Sequence, residues 1–245
     1  MALPRVIVVD DDPSIRRLVA LALEDLAIDL QLCAGAAEAV QALQAGPARL
    51  LITDLMMPGI TGFDLLQQLA DDPALRGGAR LAVFSAGLNA QAQARLAGLP
   101  VWRQIDKPVS VLALANLVEQ AVADDGPAPA DEPSAPADAP ADGTAAAIAQ
   151  HFGGQAALFH AFRASCVQQL PLDLLQADTA LVVRDAGTVR RMGHSLKSVL
   201  QLLGEPAAST DARALEQAAA EADWPACDAA WQRLRAALQR LAPAG

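Results

Sequence analysis

The stretch ADDGPAPADEPSAPADAPADG at 123–143 limits the possible folds more than any other part of the chain. It holds five prolines, six acids and no large apolar side chain. Such a segment cannot offset the entropy of folding by burial, and its like charges repel one another. We read it as a disordered acidic Pro/Ala linker that separates 1–122 from 144–243. Each flanking part is long enough for a core of its own, and a hydrophobic content of 53% supplies the material.

The net charge of −10 is uneven: −4 over 1–122, −6 over the linker and zero over the remainder. An acidic chain of this kind argues against nucleic acid as a partner, which would require a basic face. Cys33, Cys166 and Cys227 are far apart, with neither metal-site nor disulfide-framework spacing, so a reducing cytoplasm is expected. The opening MALPRVIVVDDD runs straight into a strand-like segment and reads as no signal peptide, and no membrane insertion is expected.

Over 1–122 short apolar runs at 6–9, 30–33, 50–53, 81–84 and 101–105 alternate with helical patterns near 13–26, 36–45, 62–70, 88–97 and 109–122. Strands alternating with helices predict an α/β fold, a doubly wound parallel five-stranded sheet. Ligands of such sheets bind at the carboxyl ends of the strands. Over 144–243 only helical patterns occur, near 144–151, 155–182, 186–203, 207–222 and 225–241. They predict an all-α bundle, with Pro171 expected to kink the second helix.

Several reactive residues fall at the predicted strand ends: Asp10 and Asp11 after the first, Asp54 after the third, Ser85 after the fourth, Lys107 after the fifth. Clustered carboxylates raise one another's pKa and call for a cation, and Mg²⁺ favours a few carboxylates with water and phosphate oxygens. Asp12 before Pro13 reads as a helix N-cap. The motifs VIVVDDDPSIRRLV, LLITDLMMPGITGFDLL, AVFSAG and IDKPV, in this order, resemble the response-regulator receiver domain. The resemblance implies that Asp54 is the phosphoacceptor. It implies that Asp10, Asp11, Asp54 and the main-chain carbonyl of Met56 hold Mg²⁺, that Ser85 binds a phosphoryl oxygen, and that Lys107 pairs with Asp54 or its phosphate. It also implies a cis bond before Pro108. One departure stands out: the aromatic residue usual three positions before the lysine is Gln104 here, with Trp102 on the same strand face. This argues for a receiver that passes phosphate on rather than reporting it through that surface.

In GTVRRMGHSLKSVLQLLG, at 100° per residue, Met192, Leu196, Val199 and Leu203 form the buried stripe. His194 falls opposite, on a face shared with Arg190, Lys197 and Gln201, and is expected to be exposed. The run HSLKS with Gly204 resembles the histidine phosphotransfer domain. This implies His194 as a second phosphoacceptor, through Nε2, and Lys197 as a phosphate-stabilising group. Ser198 stands where that family has glycine. His151 and His160 are expected at helix surfaces or boundaries, Cys166 and Cys227 in the core.

Together the resemblances imply a two-component phosphorelay protein that accepts and passes phosphoryl groups through Asp54 and His194. Its partners would be a sensor or hybrid histidine kinase and a downstream receiver. It would be a signalling protein rather than a classical enzyme, the receiver catalysing its own phosphorylation and dephosphorylation. The alternative is a phosphorylation-gated adaptor, or a phosphate sink, in which His194 carries no phosphate. Of the 18 basic residues only two are lysines, Lys107 and Lys197, and both stand at the candidate phosphate sites, where a compact ammonium suits the chemistry.

Overall fold

The computed structural model describes residues 2–85, 90–123 and 143–241. The chain divides into two compact units, 1–137 and 138–245. Most of the expected linker, 124–142, lies outside the described residues, as do Ala86 and Gly87 of the AVFSAG motif.

The first unit runs β1 (Arg5–Val9), α1 (Pro13–Ala22), β2 (Asp29–Cys33), α2 (Ala36–Ala45), β3 (Leu50–Asp54), α3 (Gly62–Asp71), α4 (Pro73–Arg76), β4 (Arg80–Ser85), α5 (Ala90–Ala97), β5 (Val101–Asp106) and α6 (Val111–Val122). The sheet is parallel throughout, in the order β2-β1-β3-β4-β5, with helices connecting successive strands. Residues 6–9 and 50–52 are fully buried, as strands covered on both faces require. The chain reverses its direction of growth between β1 and β3. Their carboxyl ends therefore flank the crevice where ligands of such sheets bind.

Local chemistry sets the helix boundaries. Asp12 caps α1, its side chain accepting from the backbone N–H of Ser14 at 2.8 Å. Thr61 and Asp64 form a reciprocal capping box at the start of α3. Helix α1 stops at Ala22 rather than continuing to residue 26, and the single turn α4 has no counterpart in the sequence pattern.

The second unit comprises α7 (Gly143–His151), α8 (Ala156–Val182), α9 (Ala186–Leu202), α10 (Pro206–Ala220) and α11 (Trp224–Leu241). Helix α8 runs unbroken through Pro171, which faces solvent. Leu170, Leu196, Leu200, Leu215, Trp231 and Leu234 lie in the bundle core. Alanines at 208, 212, 218 and 219 leave little bulk on the inner face of α10. Gly193 of α9 exploits that space, since a Cβ there would meet the Glu216 nitrogen at 2.7 Å and the Ala212 oxygen at 2.9 Å. The two helices thus approach more closely than any larger residue would allow.

Phe152, Phe159 and Phe162 pack together at the turn between α7 and α8. His151 stands at a helix boundary, as expected, and is buried there. Cys33, Cys166 and Cys227 are all buried thiols. Among the described residues no helix is long and apolar enough to cross a membrane.

Candidate functional site

Strand register assembles the first site. Val9 pairs with Thr53 across β1 and β3, so Asp10 and Asp54 emerge one step later at the same level of the sheet. Ser85 pairs with Asp106 across β4 and β5, and Lys107 follows. Side-chain oxygens of Asp10, Asp11 and Asp54 lie within 4.8 Å of one another. The Lys107 ammonium reaches Asp10 Oδ2 at 2.9 Å and Asp54 Oδ1 at 3.2 Å, with 5% of its side chain exposed. The peptide bond between Lys107 and Pro108 is cis. Met56 lies two residues beyond Asp54, in the loop that leads to α3.

Backbone donors hold the carboxylates in place. Asp10 Oδ1 accepts from the N–H of Asp12 at 2.9 Å, and Asp54 Oδ1 from that of Leu55 at 2.8 Å. Gly62, the first residue of α3, lies so close to Asp54 that a Cβ would fall 1.9 Å from its carbonyl oxygen. Burial, aided by the charges of Asp54 and Asp12, pushes the Asp10 carboxyl up to about 7. Asp11 is raised too, by burial and then by Asp54. Burial works to strip the proton from Lys107, but Asp10 and Asp54 outweigh it and hold its pKa above the ordinary lysine value. The pocket therefore keeps an ammonium and an excess of carboxylates, the setting in which a hard divalent cation finds oxygen ligands.

Ser85 is buried at the end of β4. Its hydroxyl donates to Asp106 Oδ1 at 3.1 Å and accepts from Gln104 Nε2 at 3.0 Å. Two guanidinium groups lie over the Trp102 ring, Arg80 at 5.0 Å and Arg103 at 5.7 Å from its centroid.

The second site corrects the helical-wheel expectation. His194 is 7% exposed rather than on an open face. The reason is the close packing of α10 on α9, which brings Glu216 onto the ring. His194 Nδ1 lies 2.8 Å from Glu216 Oε1, and Lys197 donates to Glu216 Oε2 at 2.7 Å. Burial alone would raise the Glu216 carboxyl, but hydrogen bonds from His194 and Lys197 prevail and hold it at about 2. An ionised carboxylate only accepts, so in a neutral imidazole the proton sits on Nδ1, toward Glu216, and the lone pair on Nε2. His194 Nε2 is buried and meets no hydrogen-bond partner among the described residues. Arg190 and Gln201 stay exposed, whereas Ser198 is buried. Glu216 is the site residue that sequence reasoning missed. The available signal was that α10, rich in small residues, holds only two acids, Asp211 and Glu216.

Residues 6–119 match the response regulator receiver domain family, and residues 161–244 match the Hpt domain family. An uncharacterized 14.6 kDa protein in the sodA1 3′ region of Leptolyngbya boryana is 32% identical over 117 residues, 47% of this chain and 87% of that protein. Response regulator Rre1 of Synechocystis is 40% identical over 67 residues, 27% of this chain, and the chain spans only 29% of its length. A response regulator receiver protein from Pseudomonas putida shares 30% identity over 49% of this chain and 98% of its own, at a TM-score of 0.45. Two families met in one chain, each over its own compact unit, make this a member of the two-component phosphorelay proteins: a response regulator receiver domain and an Hpt domain carried together.

Proposed function

We propose that Asp54 and His194 are the phosphate carriers of this relay protein. The observation that supports this best concerns its two lysines. Lys107 is ion-paired to Asp10 and Asp54, and Lys197 to the carboxylate that also holds His194.

At the receiver, an Asp54 carboxylate oxygen attacks the phosphorus of a phosphohistidine in line. The P–O bond forms as the P–N bond breaks, and the departing imidazole nitrogen keeps the electron pair. Lys107 offsets charge on the phosphoryl oxygens, and Ser85 donates a hydrogen bond to one of them. Asp10, Asp11, Asp54 and the Met56 carbonyl would hold Mg²⁺, which when bound neutralises phosphoryl charge. The crowding of three carboxylates within 4.8 Å fits such an ion.

At the bundle, the Nε2 lone pair of His194 attacks the phosphorus of an acyl phosphate, and the P–O bond to the departing carboxylate breaks. The ring becomes cationic, its Nδ1–H held by Glu216. Lys197, one turn along α9 and ion-paired to Glu216, would turn its ammonium to the phosphoryl oxygens. The donors and acceptors are a sensor or hybrid histidine kinase and a downstream receiver, in a cytoplasmic setting.

A second reading has one observation in its favour. His194 Nε2 is buried, which suits a regulated adaptor in which no phosphate reaches the histidine. A pulse of labelled phosphodonor separates the two. On the relay reading the wild-type protein gains both an alkali-labile acyl phosphate and an acid-labile phosphohistidine. Asp54→Asn removes the first, His194→Ala the second, and His194→Ala blocks delivery to the downstream receiver. Undiminished delivery by His194→Ala sinks the relay reading and leaves the adaptor.

A further inference from the structure

The hydrogen bonds around Ser85 run in one direction. A glutamine amide nitrogen only donates and a carboxylate only accepts. The chain is therefore Gln104 Nε2 to Ser85 Oγ, at 3.0 Å, then Ser85 Oγ to Asp106 Oδ1, at 3.1 Å. A serine hydroxyl has one proton to give, and here Asp106 receives it. Ser85 is buried, whereas Gln104 and Asp106 are exposed on β5. The trio thus links the interior of the phosphate pocket to the outer surface of the edge strand.

We propose that Asp106 is a positioning residue that competes with the phosphoryl group for the Ser85 proton, and that Gln104 is the pivot. This rests on reading Ser85 as a ligand of the Asp54 phosphate. Phosphoryl oxygens accept and do not donate, so the hydroxyl cannot serve Asp106 and the phosphate together. Phosphorylation of Asp54 draws the proton from Asp106. That carboxylate loses its donor, meets added negative charge nearby and turns to solvent. Gln104 continues to donate to Oγ throughout, which keeps the oxygen in place while its proton changes partner. The competition shortens the life of the phosphate on Asp54 and biases the relay toward passing it on. It also gives the strand a polar means of reporting phosphorylation, at the position where the sequence lacks an aromatic residue.

The test uses the full chain, phosphorylated by acetyl phosphate, with loss of acyl phosphate followed after the donor is removed. Asp106→Ala frees the hydroxyl and lengthens the phosphate lifetime about tenfold, the factor expected of one hydrogen bond to a charged group. Asp106→Asn keeps the shape with a weaker acceptor and falls between Ala and Asp. In a Ser85→Ala background Asp106→Ala has no effect, a dependence that a purely structural role for Asp106 would not produce. If Ser85→Ala shortens the lifetime but Asp106→Ala leaves it unchanged, the competition is wrong and Ser85 remains a phosphate ligand. If Ser85→Ala alters neither yield nor lifetime, Ser85 does not bind the phosphate and the competition falls with it.

Discussion

Lys107 and Lys197 keep different company. Lys107 lies against two buried carboxylates, with the Asp11 carboxylate close by. Lys197 shares one half-buried carboxylate with a histidine. In the first pocket burial, aided by the neighbouring carboxylates, pushes the acids up in pKa. In the second, hydrogen bonds from His194 and Lys197 outweigh burial and hold the acid down. On the proposed function the first site would take a divalent ion along with the phosphate, and the second would rely on its lysine. A relay that passed the same group between Asp54 and His194 would use two electrostatic designs around the same kind of cation.

The largest effect should separate the two lysines. Lys107→Ala leaves three crowded carboxylates without the ammonium and is expected to destabilise the receiver by about 3 kcal/mol in divalent-free buffer. Added Mg²⁺ should restore part of that loss. Lys197→Ala, at a partly exposed pair, should cost about 1 kcal/mol with no response to Mg²⁺. Urea unfolding with and without Mg²⁺ measures both, and equal losses at the two sites would break the comparison.

A smaller effect tests what holds the second site together. Gly193→Ala should destabilise the bundle by about 2 kcal/mol through overpacking of α9 against α10. It should also slow phosphate exchange at His194, because Glu216 is displaced with its backbone. Normal exchange in this variant would mean that Glu216 is not needed on the ring.

The smallest effects are pH slopes, at most about 1.4 kcal/mol per pH unit for one proton, and they should have opposite signs. Asp10 rises from 3.8 to about 7 on folding, so the native receiver binds its proton more tightly than the unfolded chain. Its contribution makes the receiver less stable as pH climbs through that window, and Mg²⁺ should flatten the slope. Glu216 falls from 4.5 to about 2. Its contribution is complete above 4.5 and is lost as pH drops toward 2. Hydrogen exchange resolved by residue reads the two units separately. Asp10→Asn should reduce the first slope, Asp11 keeping its share, and Glu216→Gln should abolish the contribution of Glu216 to the second.

The sheet was legible because its signals are local. The apolar runs at 6–9 and 50–53, each followed at once by aspartate, fixed both the strands and the edge where the acids gather. The helices of the bundle were equally readable from their period. What the sequence hid was the company of His194. A helical wheel describes one helix against an implied core, and it placed the histidine outward. The burial comes from α10, whose Glu216 lies 22 residues away and reaches the ring only because glycine and alanine line the contact. The Ser85 trio was hidden for the same reason: Gln104 reads as a missing aromatic until the β4–β5 register sets it beside the hydroxyl.

The glycines nearest the two candidate sites, Gly62 and Gly193, also bear on how this sequence can drift. A glycine codon becomes an alanine codon by one base change. In an alanine-rich helical chain that change is usually favourable, by up to about 1 kcal/mol in a helix interior. At Gly62 and Gly193 the same methyl would strike the backbone beside Asp54 and beside Glu216. Mutational pressure toward alanine therefore meets resistance at both positions, and each of them stands next to a candidate phosphate carrier. Among lineages of this chain, the retention of these two glycines would record selection on transfer rather than on folding alone.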